Sequence, residues 1–249
     1  MFRLDGKRVL VTGASKGIGQ AIAVAFAAQG AKVAISGRAT SLEDTAQMIK
    51  QYSNDCLSIP MDVMDAKQRE SAVKQMMEVF GGIDILVNNA GGNRPGPGLE
   101  VTEENWDYVY DVNLKSGFFL SQLVAPYMIK AGWGRVIFIS SQSGIVAIPN
   151  QSLYCSAKGA ALQVTRTLGV EWAKHGITVN AIAPTFVKTS LTEKRLENPD
   201  FLSYVLGKIP CGKLAEVKDV ACAAIFLASE EAKMVNCHTL CVDGGWTVW

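Results

Sequence analysis

The sequence predicts a doubly wound α/β domain, a parallel sheet of about seven strands with helices on both faces, and three observations carry that expectation. Seven short apolar runs rich in Val and Ile recur along the chain. Segments with helical periodicity lie between most of them, which is the rhythm of βαβ units. The runs are apolar at successive positions rather than at alternate ones, as strands buried on both faces must be. No linker-like run, repeat or low-complexity stretch interrupts the pattern, so residues 1–249 are expected to form one domain.

Taken in order, RVLVTG (8–13) is the first strand, and it runs through TGASKGIG (12–19) into a helix over 18–29. In that helix Ile22, Ala25 and Phe26 share a face, and Gly30 stands just past its end as a stop signal. KVAIS (32–36), CLSIP (56–60) and IDILVNN (83–89) read as strands two to four, with amphipathic helices expected over 41–53 and 65–80 between them. A long helical stretch, 102–130, precedes the fifth strand RVIFIS (135–140), and another, 152–174, precedes the sixth, ITVNAIA (177–183). A helix over 216–228 leads to the last strand, TLCVDGG (239–245). Residues 184–212 break the alternation: the segment is long, polar and proline-containing, and it follows the sixth strand directly. Ligands of open α/β sheets bind beyond the carboxyl ends of the strands, so this insertion is expected to act as a lid over a substrate site.

Composition narrows the function classes. The chain has 49% hydrophobic residues, enough for a substantial core, and a formal net charge of +1 with both signs interspersed. No basic footprint points to nucleic acid or an anionic membrane, and neither partner is expected. The charged start MFRLDGKRVL lacks the apolar stretch of a signal peptide, and no apolar run approaches the ~20 residues of a membrane span, so a cytoplasmic location is expected. Six cysteines are scattered without a CxxC pair. Cys237, His238 and Cys241 lack a nearby fourth ligand and read as a terminal strand, so no metal is expected.

The strand–turn–helix context of TGASKGIG makes it a nucleotide-binding turn. Glycines let the backbone approach a pyrophosphate, and the free N–H groups at the helix start face its charge. An NAD site offers an acid to the ribose about 20 residues on, an NADP site a cation to the 2′-phosphate. Here the second strand ends in Ser36, Gly37 and Arg38 with no acid, and Lys16 lies inside the turn. NADP(H) is therefore expected over NAD(H).

The stretch SLYCSAKGA (152–160) places Tyr154 and Lys158 four residues apart on one helix face, so the two side chains can act as a unit. A free tyrosine has a pKa of about 10, and an adjacent ammonium is expected to stabilise the phenolate and lower it. Cys155 leaves the helix about 100° away from Tyr154 and has no histidine base, so it is read as packing rather than as a nucleophile.

TGASKGIG, NNAG (88–91), Asn113, Ser141 and Tyr154-x-x-x-Lys158, at these spacings, resemble the short-chain dehydrogenase/reductase family over essentially the whole chain. The resemblance implies a Rossmann-type fold and hydride transfer between NADP(H) and a carbonyl or secondary alcohol, with Tyr154 as general acid/base. It implies that Ser141 holds the substrate oxygen, with Ser140 as the alternative should the strand register differ by one. It further implies that Lys158 holds the nicotinamide ribose and that Asn113 fixes a water linking Lys158 to solvent. Cofactor contacts are implied for Gly13, Ser15, Lys16, Gly17, Ile18, Gly19, Ser36 and Arg38. They are implied also for Asp62, Val63, Asn89, Ala90, Gly91, Tyr154, Lys158, Val187 and Thr189. PTFVKT departs from the family's Pro-Gly start, because Thr185 stands where glycine is usual, and VNCHTLCVDGG lacks the usual Thr-Gly.

Within the family, VDGGWTVW and the stretch from Leu196 to Ser229 resemble the branch acting on sugars, polyols and sugar acids, such as galactitol and gluconate dehydrogenases. A 3-oxoacyl-thioester reductase shares the same catalytic residues and stays open, as does a non-catalytic NADP-binding sensor. Asn93, Arg94, Gln142, Ser143 and Gln151 are candidate substrate contacts together with Ser141, and Arg94 is the candidate for a carboxylate. The resemblance also implies a homotetramer built on the helices over 102–130 and 152–174. Trp246 and Trp249 either complete their own core or, for Trp249, close a neighbouring subunit's substrate site.

Overall fold

The seven apolar runs are seven strands in a computed structural model of the chain, which describes residues 1–38, 42–189 and 192–249. They are β1 (Arg8–Thr12), β2 (Lys32–Gly37), β3 (Cys56–Pro60), β4 (Ile85–Asn88), β5 (Gly134–Ile139), β6 (Ile177–Pro184) and β7 (Thr239–Val242). All pair in parallel, in the order β3-β2-β1-β4-β5-β6-β7. The helices are α1 (Gly17–Ala28), α2 (Glu43–Lys50), α3 (Ala66–Phe80), α4 (Glu103–Tyr110), α5 (Ser116–Ala131), α6 (Ser152–Trp172), α7 (Glu193–Leu196), α8 (Pro199–Gly207) and α9 (Val217–Ala228). Residue 41 of the second expected helix and residues 190–191 of the expected lid lie outside the described residues.

Each face of the sheet has its own core. Ile22 and Phe26 of α1, Ile49 of α2 and Leu227 of α9 pack on one side. Met76 of α3, Leu120 and Val124 of α5, and Leu162 of α6 pack on the other. Along β1 the alternation is direct, because Val9 and Val11 join the first cluster and Leu10 the second. The outermost strands β3 and β7 have one neighbour each, and several of their residues stay partly open.

β1 pairs with β2 on one side and β4 on the other, so the chain changes direction of winding there. The crevice this opens at the carboxyl ends is where a doubly wound sheet binds its ligand. At the opposite end of the same strands Arg8 grips Asp84 bidentately, Nε to Oδ2 at 2.7 Å and Nη2 to Oδ1 at 2.6 Å. Burial pushes the Asp84 carboxyl up, but the hydrogen bonds and charge of Arg8 outweigh it and hold the pKa below the usual carboxylate value. A depressed carboxylate stabilises the fold above its unfolded pKa and loses that contribution as the pH falls through the folded one. Asp84→Asn should therefore cost about 1–3 kcal/mol at pH 7. Urea unfolding checks this, and the gap from the unsubstituted protein should close in acid.

The expected single helix over 102–130 is interrupted. A π-helical turn, Asp111–Lys115, separates α4 from α5. Widened turns of this kind recur at functional sites because the extra residue re-aims side chains. Here Asn113 is buried, and its Nδ2 donates to Val109 O at 2.8 Å and Gly92 O at 2.7 Å.

The segment after β6 carries α7 and α8 and makes a small core of its own. Phe186 packs edge-on to Phe201 with ring centres 5.5 Å apart and stacks on Trp246 at 5.7 Å. Ile148, Val205 and Ile209 complete the cluster. Trp246 thus belongs to its own subunit's interior, whereas Trp249 is 85% exposed.

Candidate active site

The site begins where β1 ends. Gly13 has φ +62°, and a Cβ on it would lie 2.9 Å from Ala90 Cα, so glycine lets the β1–α1 turn touch the NNAG loop. Asn89 fastens that contact, its Nδ2 donating to Thr12 O at 2.8 Å and Gly13 O at 3.0 Å. Thr12 Oγ1 accepts from the N–H groups of Asn89 and Ala90, both at 3.0 Å. Asn89, expected as a cofactor contact, uses its amide to hold the turn in shape.

The start of α1 has no side-chain cap and no acid in its first turn. Its N–H groups and positive dipole end face the crevice, and with glycines at 13, 17 and 19 the turn fits a dinucleotide pyrophosphate. Ser15 and Ile18 of the turn are partly exposed, and Thr189 packs on the turn, its Cγ2 being 3.4 Å from where a Cβ on Gly17 would stand. Thr189 N also donates to Thr192 Oγ1 at 3.0 Å, and Val187 beneath it is buried, accepting from that hydroxyl.

Farther along the crevice, Lys16 and Arg38 are exposed. Ser15 Oγ lies 3.8 Å from the Cβ position of Gly37, which brings the glycine turn beside the end of β2. Ser36 departs from expectation: it is 0% exposed, and its Oγ has no hydrogen-bond partner among the described residues. Its backbone carbonyl holds Ala14 N at 2.9 Å, so Ser36 supports the turn from within. Asp62 N donates to Gln68 Oε1 at 2.8 Å and Asp62 Oδ1 accepts from Met64 N at 2.9 Å, while Val63 is buried beside it.

At the other end of the crevice, the serine after β5 that faces the cleft is Ser141. Ser140 turns inward, and its Oγ donates to Lys158 O at 3.0 Å, pinning β5 to α6. Ser141 shares the cleft wall with Tyr154, and its hydroxyl donates to Gln142 Oε1 at 2.7 Å and accepts from Ser143 N at 3.1 Å. Lys158 is buried, with Nζ donating to Ile139 O at 2.9 Å and lying 5.5 Å from the centre of the Tyr154 ring. Asn113 Oδ1 and Lys158 Nζ both border Gly91.

The electrostatics of this pair correct the sequence-based expectation. Burial pushes the Tyr154 phenol up to about 12, against a smaller lowering influence of the neighbouring Ser141 hydroxyl. Burial also brings the Lys158 ammonium down to about 8. In the protein alone the loss of water decides the direction of both shifts. The phenol is a proton-loaded acid at neutral pH.

Tyr154 and Ser141 line a cleft of about 180 Å³ together with Asn93, Gln142, Ser143 and Gln151. Two candidates lie elsewhere. Arg94 turns away, donating to Asn105 Oδ1 at 3.0 Å, pairing with Glu104 at 3.5 Å and lying over the Tyr108 ring at 4.5 Å. Trp249 is not among the lining residues of this chain's cleft. Pro95, Thr185, Phe186, Thr192 and Arg195 line it without having been singled out as substrate contacts. Only Thr185 carried a signal, its departure from glycine; Arg195 sits in a run of exposed charges whose sequence does not say which one turns inward. Among the described residues no cluster of His, Cys, Asp and Glu is placed to hold a metal ion, and no helix is long and apolar enough to cross a membrane.

Residues 13–247 match the family model described as "Enoyl-(Acyl carrier protein) reductase". D-threitol dehydrogenase of Mycolicibacterium smegmatis is 39% identical, the match covering 99% of this chain and 95% of that one. Gluconate 5-dehydrogenase of Gluconobacter oxydans is 34% identical over 100% of this chain and 97% of its own. Among solved structures, a gluconate 5-dehydrogenase from Burkholderia cenocepacia in complex with NADP and tartrate superposes with a TM-score of 0.94 at 34% identity, covering 100% of this chain and 98% of that one.

Proposed function

Since the chain belongs to the short-chain dehydrogenase/reductase family and is thus an NAD(P)-dependent oxidoreductase, we propose that it interconverts a secondary alcohol and a carbonyl on a polyol or sugar acid, using NADP(H). The observation that carries this reading is that Ser141 and Tyr154 share the wall of one cleft, while Lys158 lies 5.5 Å from the Tyr154 ring centre and borders Gly91 of the NNAG loop that touches the glycine turn. Bound cofactor would supply the hydride donor or acceptor. Tyr154 holds the proton at Oη and delivers it to the carbonyl oxygen, which Ser141 orients by hydrogen bonding. Lys158, fixed by Ile139 O, holds the cofactor ribose beside the phenol, and Asn113 supports it across Gly91. The glycine turn takes the pyrophosphate, with Asp62 and Val63 at the adenine end.

A hydroxylated substrate suits the wall of the cleft. Asn93 Nδ2 donates to Gln151 Oε1 at 3.1 Å, while Asn93 Oδ1 and Thr185 Oγ1 are buried without partners among the described residues. Such atoms favour a ligand that brings hydroxyl groups, because unpaired buried polar atoms are costly. The segment over 184–212 acts as the lid, and exposed Trp106, Phe119, Tyr127 and Val170 support assembly into a homotetramer through α4, α5 and α6. Cofactor turnover with polyols, sugar acids and acyl thioesters tests the substrate reading, and activity confined to the thioesters would refute it.

For the cofactor, Arg38→Asp should weaken NADPH binding by about 10-fold or more, through loss of a phosphate partner and added repulsion, while NADH binding changes little or improves. Fluorescence titration with both cofactors measures this. A native protein that prefers NADH at equal concentrations would contradict the role given to Arg38.

A further inference from the structure

Among the described residues that line the cleft, Arg195 alone carries a permanent charge, and no carboxylate lies among them. It stands on α7, and its guanidinium lies 4.3 Å from the centre of the Phe201 ring. Phe201 in turn packs edge-on to Phe186, which lines the same cleft. A guanidinium held over a ring face can still offer its N–H donors, in the fork geometry that matches a carboxylate. Among the described residues no Asp or Glu forms an ion pair with it, whereas Arg94 is already engaged by Glu104 and Asn105. The neutral part of the lining holds the two unpartnered buried oxygens, Asn93 Oδ1 and Thr185 Oγ1.

We propose that Arg195 anchors the carboxylate of a sugar-acid substrate, with Asn93 Oδ1 and Thr185 Oγ1 engaging hydroxyls along its chain. The inference rests on the polyol or sugar-acid reading above and narrows it to the acids. One cation without a competing acid selects a monoanion. It offers little to a neutral polyol and nothing to a cationic alcohol. Arg195 acts on recognition and not on the proton, so its loss should appear in KM and leave kcat nearly untouched.

The test uses the full chain with NADP and pairs of five- and six-carbon aldonates with their matching neutral alditols. The native protein should prefer aldonates, and Arg195→Gln should raise aldonate KM by about 10- to 100-fold while alditol KM and NADPH affinity stay within about 2-fold. Arg195→Lys should recover part of the loss, and added salt should weaken aldonate binding in the native protein alone. An unchanged aldonate KM in Arg195→Gln, or an equal rise for aldonate and alditol, would overturn the anchor while leaving the general reading in place. Turnover of acyl thioesters with neither aldonate nor alditol accepted would overturn the reading beneath it. Unaltered NADPH titration in the variants shows that the fold survives.

Discussion

Replacing Tyr154 by Phe should lower turnover by about 10²–10⁴-fold and leave NADPH affinity within about 2-fold. The substitution keeps the ring and removes only the hydroxyl, in the cleft wall that Tyr154 shares with Ser141. The direction of the pKa shifts adds a second, independent signature. A phenol pushed up to about 12 is protonated throughout the neutral range, so carbonyl reduction finds its acid ready. Alcohol oxidation needs the phenolate, whose population grows with pH below that value. Oxidation in the native protein should therefore climb with pH while reduction does not, and Tyr154→Phe should flatten the climb. Steady-state rates in both directions between about pH 6 and 10 measure it. A Phe variant with native turnover would sink the assignment of the proton to Tyr154.

Gly19→Ala should weaken NADPH binding by about 10-fold or more and lower stability by about 1–2 kcal/mol. Alanine in a helix gains about 1 kcal/mol over glycine, so on propensity alone the change would stabilise α1. Packing reverses the sign. A Cβ at Gly19 would lie 2.5 Å from Gly13 O and overlap Asn89 Nδ2, the amide that fastens the turn to β4. Overpacking against backbone costs about 1–3 kcal/mol, and the displaced turn no longer presents its N–H groups to the pyrophosphate. Thermal unfolding and NADPH titration on the variant check both effects. Native affinity in Gly19→Ala would show that the turn yields without consequence.

Much of the fold was legible because it depends on local periodicity. Uninterrupted apolar runs with helices between them specify parallel strands buried on both faces, and β1 to β7 coincide with the runs RVLVTG to TLCVDGG, except that β2, β5 and β6 each reach one residue beyond their run, to Gly37, Gly134 and Pro184. The π turn at Asp111–Lys115 left no such trace: one extra residue in a long amphipathic stretch barely alters its apolar stripe, yet it sets where Asn113 points. The choice between Ser140 and Ser141 needed the register of β5 against β6 and the position of α6, both products of long-range pairing.

What the sequence by itself determined is the chemistry on offer: a glycine turn between a strand and a helix, and a phenol one helical turn from an ammonium. These follow from residue type and spacing within single elements. Tertiary structure alone decided which cation faces the cleft. Arg94 and Arg195 are equivalent as charged residues in polar segments, but Glu104, Asn105 and Tyr108 draw one away, while Phe201 seats the other at the wall. It likewise decided that Trp246 is interior and Trp249 exposed. It also reversed the expected shift of Tyr154, because desolvation depends on every element packed around a group, and no local spacing records that.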